Sequence, residues 1–155
     1  MLQVKDVMSR DVLTTTEDTD IHSVARMLTD YRISGAPVVD KKGNPVGVIS
    51  LHDLAFHQGQ VGDSQAAAYW HDQPAMSKGF SVHDLSKSTT LVKDVMTPAV
   101  HSIDQDASLV ELCDFFTKGM IHRVLVTQGG ELVGIVTTSD LVGVLKKLLL
   151  AEASV

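Results

Sequence analysis

Two octets carry the side chains best spaced for chemistry. Residues 47–54 read Gly-Val-Ile-Ser-Leu-His-Asp-Leu, and residues 134–141 read Gly-Ile-Val-Thr-Thr-Ser-Asp-Leu. Each sets a hydroxyl three residues before a carboxylate: Ser50 with Asp53, and Thr137 with Asp140. Where a strand runs into a helix, this spacing is that of a capping box, in which hydroxyl and acid satisfy each other's main-chain N–H groups. The same arrangement can hold a ligand. A helix N-terminus with a hydroxyl beside it receives phosphate, and an acid one turn further on can accept both hydrogen bonds of a ribose diol. Residue physics leaves both readings open. Capping alone does not account for the repeated glycine and β-branched pair that lead into each hydroxyl.

Other chemistries fit less well. Ser50, His52 and Asp53 have the residue types of a hydrolytic triad, but so close together they point in different directions. No Gly-x-Ser-x-Gly elbow is present, and Ser139 replaces His52 in the second copy. No catalytic residues are therefore assigned. His57, His71, Asp72, His83 and Asp84 crowd the middle of the chain, at spacings that match no zinc pattern, so no metal site is assigned either. Cys113 falls in an apolar helical stripe and is expected to be a buried structural thiol.

The bulk properties bound the answer. The chain has 155 residues, 44% of them hydrophobic and 21% charged, with a formal net charge of −6. A chain this long buries roughly 70% of its unfolded surface, enough for a core. The acidic balance lacks the basic footprint that nucleic-acid binding requires. One cysteine allows no internal disulfide, and the N-terminus lacks a signal-peptide pattern. The apolar run 141–151 is broken by Lys146 and Lys147 and is too short to span a bilayer. A cytoplasmic protein with no nucleic-acid or membrane partner is expected.

The elements that must position the octets also come in duplicate. Val-Lys-Asp-Val-Met occurs at 4–8 and 92–96, an offset of 88 that also relates Asp18 to Asp106, Ile33 to Ile121 and Val38 to Val126. Between the octets the offset is 87, and the lost residue falls in a Gly-containing turn. Each half is expected to run β-α-β-β-α. In the first half, Val12–Thr15 forms a strand and Asp18 caps a helix from about Thr19 to Tyr31. The stripe Ile21, Val24, Ala25, Leu28 faces the core, and Ala36–Val39 and Pro45–Ser50 form a hairpin. In the second half, Asp106 precedes the stripe Leu109, Leu112, Cys113, Phe116, and the hairpin is Arg123–Thr127 with Leu132–Thr137. A last helix shows Leu141, Val144, Leu145 and Leu148. The implied organisation is a first unit at 1–58, an inserted segment at 59–90 and a second unit at 91–150. Tyr69 and Trp70, in the insertion, suit a docked loop, a lid or a dimer contact.

The ordered set of motifs, present twice in outline, resembles the CBS domain, the family named after cystathionine β-synthase. It runs VKDVM, then the Thr-rich strand, RISGAPVVD and the octet, and covers nearly the whole chain outside about Phe56 to Thr90. The resemblance implies an α+β fold of two tandem CBS units about a pseudo-two-fold axis. Their sheets pack together, their helices lie outside, and two clefts open between the units. It implies a stand-alone regulatory or sensor module with no required cofactor, and a ligand of adenosine type: AMP, ADP, ATP or S-adenosylmethionine. It also implies a homodimer and a regulated protein that the sequence does not identify. Carried over by position, the nucleotide-binding residues of the first unit are Thr14, Thr15, Ile33, Ser34, Gly35, Ala36, Pro37, Ser50 and Asp53. Those of the second are Ser102, Ile103, Ile121, His122, Arg123, Val124, Thr137 and Asp140. Asp53 and Asp140 match the ribose acid, and Ser50 and Thr137 the phosphate hydroxyl. Leu125 stands where the first unit has Pro37, so the two clefts are expected to differ. Arg123 and His122 add cations for phosphate in the second. The alternative is a structural dimerisation module with degenerate, non-binding clefts.

Overall fold

The computed structural model describes residues 1–57, 89–119 and 121–153. The secondary structure is mixed, with two three-stranded sheets. The chain divides into two compact units, and these are not the sequence repeats: one comprises Met1–Val12 with His101–Val155, the other Leu13–Val100. Each unit thus takes its VKDVM segment from the other repeat.

In the unit of residues 13–100, β1 (Thr15–Thr16), β2 (Gly35–Val39) and β3 (Pro45–Ser50) form the sheet in that order, with β1 parallel and β3 antiparallel to β2. The β2–β3 turn is built by Asp40, whose carboxylate accepts the N–H groups of Lys42 (2.8 Å) and Asn44 (2.9 Å), while Gly43 adopts φ 84°. Helix α1 (Ile21–Asp30) buries Ile21, Val24, Ala25 and Leu28, the stripe that its periodicity dictates. Its cap is Asp20, which accepts the Ser23 N–H at 2.9 Å, and not Asp18. Asp18 instead pairs with Lys93 at 3.2 Å on the surface. Helix α2 (Leu51–His57) follows β3 directly. The segment 92–96 forms α3 (Val92–Val95), and Val92 is fully buried with Leu28, Ile49 and Leu54. Each such aliphatic side chain contributes about 1.5–3 kcal/mol on burial.

The unit of residues 1–12 and 101–155 repeats the plan. Strands β4 (Ser102–Asp104), β5 (Arg123–Gln128) and β6 (Glu131–Thr137) have the same order and directions. A 3-10 turn at Val4–Asp6 stands where α3 does, with Val4 buried against Leu112, Val124 and Val136. Lys5 pairs with Asp106 at 2.6 Å, the counterpart of Lys93 with Asp18. Helix α4 (Leu109–Gly119) is capped by Ser108, which exchanges hydrogen bonds with Glu111. Asp106 is left to its ion pair. The buried face of α4 is Leu112 and Phe116. Cys113 is exposed, against the expectation of a core thiol, because it lies one step round the helix from Leu112. Helix α5 (Thr138–Glu152) buries no residue fully. Leu141 and Val144 are partly covered, whereas Val142, Leu145, Leu148, Leu149 and Leu150 are exposed. No helix among the described residues is long and apolar enough to cross a membrane.

Candidate functional site

Each octet folds as a strand end, a sharp entry and a helix. Ser50 Oγ donates to Asp53 Oδ2 at 2.8 Å and accepts the Asp53 N–H at 3.2 Å, while the Ser50 N–H reaches the same Oδ2 at 2.7 Å. Thr137 and Asp140 repeat this at 2.9, 3.3 and 2.7 Å. The capping box is therefore built in both copies. It uses one carboxylate oxygen of each acid. The Ser50 hydroxyl donates a hydrogen bond to Asp53 and accepts one from the Asp53 N–H, which is a capping role.

The glycines that open the octets have their own cause. Val48 and Thr97 exchange main-chain hydrogen bonds, both 2.9 Å, so the residue after VKDVM lies against β3. A Cβ on Gly47 would stand 2.8 Å from the Thr97 carbonyl oxygen and 2.9 Å from Met96 Sδ. In the other unit Ser9 and Ile135 exchange the same pair of bonds, at 2.8 and 2.9 Å. A Cβ on Gly134 would lie 2.9 Å from the Ser9 oxygen and 2.6 Å from Met8 Sδ. The close approach of a second main chain demands glycine at both places.

The other positions carried over from the resemblance gather at the same strand ends. Gly35 is paired with Ser50 across β2 and β3, followed by Ala36 with Ile49 and Pro37 with Val48. The Leu51 N–H bonds the Ser34 carbonyl at 2.9 Å, holding Ile33 and Ser34 beside the helix start. Thr15 pairs with Val38 and is buried; Thr14, just before it, is exposed. In the other unit Arg123 is paired with Thr137, and the Thr138 N–H bonds the His122 carbonyl at 3.0 Å. Ser102 is opposite Leu125 and Ile103 opposite Val126. Ile121 and Val124 are buried, His122 is exposed, and Arg123 is partly covered. Within each unit the named residues are thus neighbours in the sheet register or in the adjoining turn.

The electrostatics of the two copies differ. Burial pushes the Asp53 carboxyl above the usual carboxylate range, against the hydrogen bonds from Ser50 and Thr97 that favour its charge. Thr97 donates to Asp53 Oδ1 at 3.3 Å. This residue lies outside the octet and was missed by motif reading. The signal was available in the repeat offset, which pairs Thr97 with Ser9. Burial also lowers the Arg123 guanidinium from its usual value, without removing its charge near neutrality. A cavity of 280 Å³ opens beside α5, lined by Asp6, Val7, Ser139, Asp140, Gly143, Val144 and Lys147. Of the positions carried over from the resemblance it includes Asp140 alone. Among the described residues no group of three His, Cys, Asp or Glu is placed to hold a metal. His71, Asp72, His83 and Asp84, like Tyr69 and Trp70, lie outside the described residues.

Comparison with known proteins agrees with this duplicated geometry. The CBS domain family model matches residues 4–58 and 92–147. Protein MJ1426 of Methanocaldococcus jannaschii is 28% identical over 152 residues, covering 92% of this chain and 90% of its own. The CBS domain pair of protein MJ0100, solved with 5′-methylthioadenosine and S-adenosyl-L-methionine, superposes with a TM-score of 0.65 at 22% identity, covering 95% of this chain and 98% of that one. CBSX2, solved in complex with AMP, gives a TM-score of 0.69 at 20% identity, covering 96% and 98%. The two repeats found in the sequence are therefore two copies of one known unit, and the chain belongs to the CBS domain family.

Proposed function

We propose that the chain is a regulatory module that binds an adenosine-type ligand at its octets, performs no chemistry of its own, and passes occupancy to a partner protein. The observation that carries this is the repeated site: a hydroxyl, an acid with one oxygen outside its capping box, and a helix start, built alike in both units. The AMP held by CBSX2, and the 5′-methylthioadenosine and S-adenosyl-L-methionine held by MJ0100, support the ligand class. Asp53 and Asp140 then hold the ribose, Ser50 and Thr137 the phosphate side, and the 33–37 and 121–124 segments the base. Arg123 stands beside Thr137 where the first repeat has Gly35. The Arg123 copy accordingly favours a phosphorylated ligand.

Calorimetry with AMP, ADP, ATP, 5′-methylthioadenosine and S-adenosylmethionine tests this. A ligand at 100 times its Kd adds about 2.7 kcal/mol, raising Tm by roughly 2–4 °C for each kcal/mol. Loss of that shift in Asp53→Ala and Asp140→Ala supports the assignment. A flat response to every ligand at millimolar concentration leaves the dimerisation module as the better account, since the capping boxes are complete without a ligand.

A further inference from the structure

We propose that Thr97 is a latch on the Asp53 octet, which makes Asp140 the acid that takes ligand first. This rests on the adenosine-binding reading above and concerns how its two sites are ranked. The main chain of Thr97 is fixed beside β3 by its paired bonds with Val48. From there its hydroxyl reaches Asp53 Oδ1 at 3.3 Å, while Oδ2 already accepts two donors from Ser50. Both oxygens of Asp53 are engaged, and the residue is only 8% exposed. In the other unit Ser9 occupies the position of Thr97, with the same main-chain pairing to Ile135. Ser9 is exposed, and among the described residues no donor reaches Asp140 Oδ1. Asp140 is also less covered and lines the cavity beside α5.

At the position that follows VKDVM the two copies differ by one methyl group, Thr97 against Ser9. The β-branched side chain of Thr97 is restricted about χ1, which favours holding its hydroxyl on Asp53; serine rotates more freely. A ribose diol meets an uncommitted oxygen at Asp140. At Asp53 it must first displace the Thr97 hydroxyl. A hydrogen bond of this kind weakens binding by about threefold to tenfold.

The test is calorimetric titration of AMP into the full chain. Wild type is expected to show two phases, the tighter one absent from Asp140→Asn. In the Asp140→Asn background, the isosteric change Thr97→Val is expected to tighten the remaining site about threefold to tenfold. In the Asp53→Asn background, Ser9→Thr should weaken the Asp140 site. The latch is overturned if Thr97→Val leaves the Asp53 site unchanged, or if Asp53→Asn removes the tighter phase. A ligand-independent readout is the carbon-13 titration of the Asp53 carboxyl, whose midpoint should rise in Thr97→Val. An unmoved midpoint sinks the latch even where AMP binds. Absence of heat in every protein, with the midpoint moved, overturns the ligand reading and not the Thr97 contact.

Discussion

At the scale of the residue, Asp53 couples stability to pH in the sense opposite to three less buried acids of the same fold. Its folded carboxyl lies above the ordinary value because burial opposes the charge. As pH rises past the unfolded value, the unfolded chain ionises first and stability falls until the folded group follows. Asp20, Asp40 and Glu111 are held below their ordinary values by hydrogen bonds, from Ser23, Asn44 and Ser108 in turn. Their contribution is present at neutral pH and lost as pH falls through the folded values. Asp53→Asn keeps an acceptor for Ser50 and removes the charge. Its melting temperature is expected to exceed that of wild type at pH 7, with the gap closing as pH falls toward 4. Calorimetry across that range checks this, and a variant less stable at every pH would refute it. The octet glycines make a second prediction at this scale. Gly47→Ala forces a shift against the Thr97 carbonyl oxygen and should cost about 1–3 kcal/mol, read from urea unfolding. The Ser50 and Asp53 pair was legible in the sequence because its spacing is local. The reason for Gly47 was not, since its neighbour is 50 positions away along the chain.

At the scale of the element, helices and hairpins followed the periodicity closely, and their ends did not. The hairpin β2–β3 spans Gly35–Val39 and Pro45–Ser50, one residue longer at its start than the apolar run. Asp18, the expected cap, and Asp106, its counterpart in the second half, are instead ion-pair partners, drawn to Lys93 and Lys5 on segments far off in sequence. Asp20 and Ser108 do the capping because each has a partner three residues on, Ser23 and Glu111. Ser108→Ala should therefore cost about 0.5–2 kcal/mol, measured by denaturant unfolding, whereas Asp18→Ala should be nearly neutral, as exposed pairs are. Helix α5 shows what periodicity leaves undetermined. Leu141, Val144, Leu145 and Leu148 mark an apolar face, but Leu145 and Leu148 are exposed, 54% and 52%. The pattern reports that a face is apolar without reporting what covers it.

At the scale of the molecule, an adjoining exposed stripe of the same helix is where the homodimer that the family resemblance implies would pack. Val142, Leu145 and Leu149 lie at i, i+3 and i+7 and are all exposed. Leu145→Asp with Leu149→Asp should convert a dimer to a monomer in sedimentation while leaving the circular dichroism unchanged. A wild-type monomer would refute the proposal. The duplication itself was plain in the sequence, since repeats are read by offset. The exchange of opening segments was not, because 4–8 and 92–96 are identical and give no sign of which copy each joins.

That exchange makes the two halves of the chain interdependent. Val4 is buried with Leu112 and Val136, and Val92 with Leu28 and Leu54. Fragments 1–58 and 89–155 should each be incomplete alone and should co-purify when expressed together. Independently soluble, non-associating fragments would refute this. The exchange also sends the effect of a mutation across the repeats. Damage to the first VKDVM loosens the unit carrying Asp140, and damage to the second loosens the unit carrying Asp53. Anyone grafting this fold, or swapping one repeat for a relative's, must cut at 13 and 100 rather than at the sequence repeat; a graft made at the repeat boundary produces two chimaeras instead of one replaced unit.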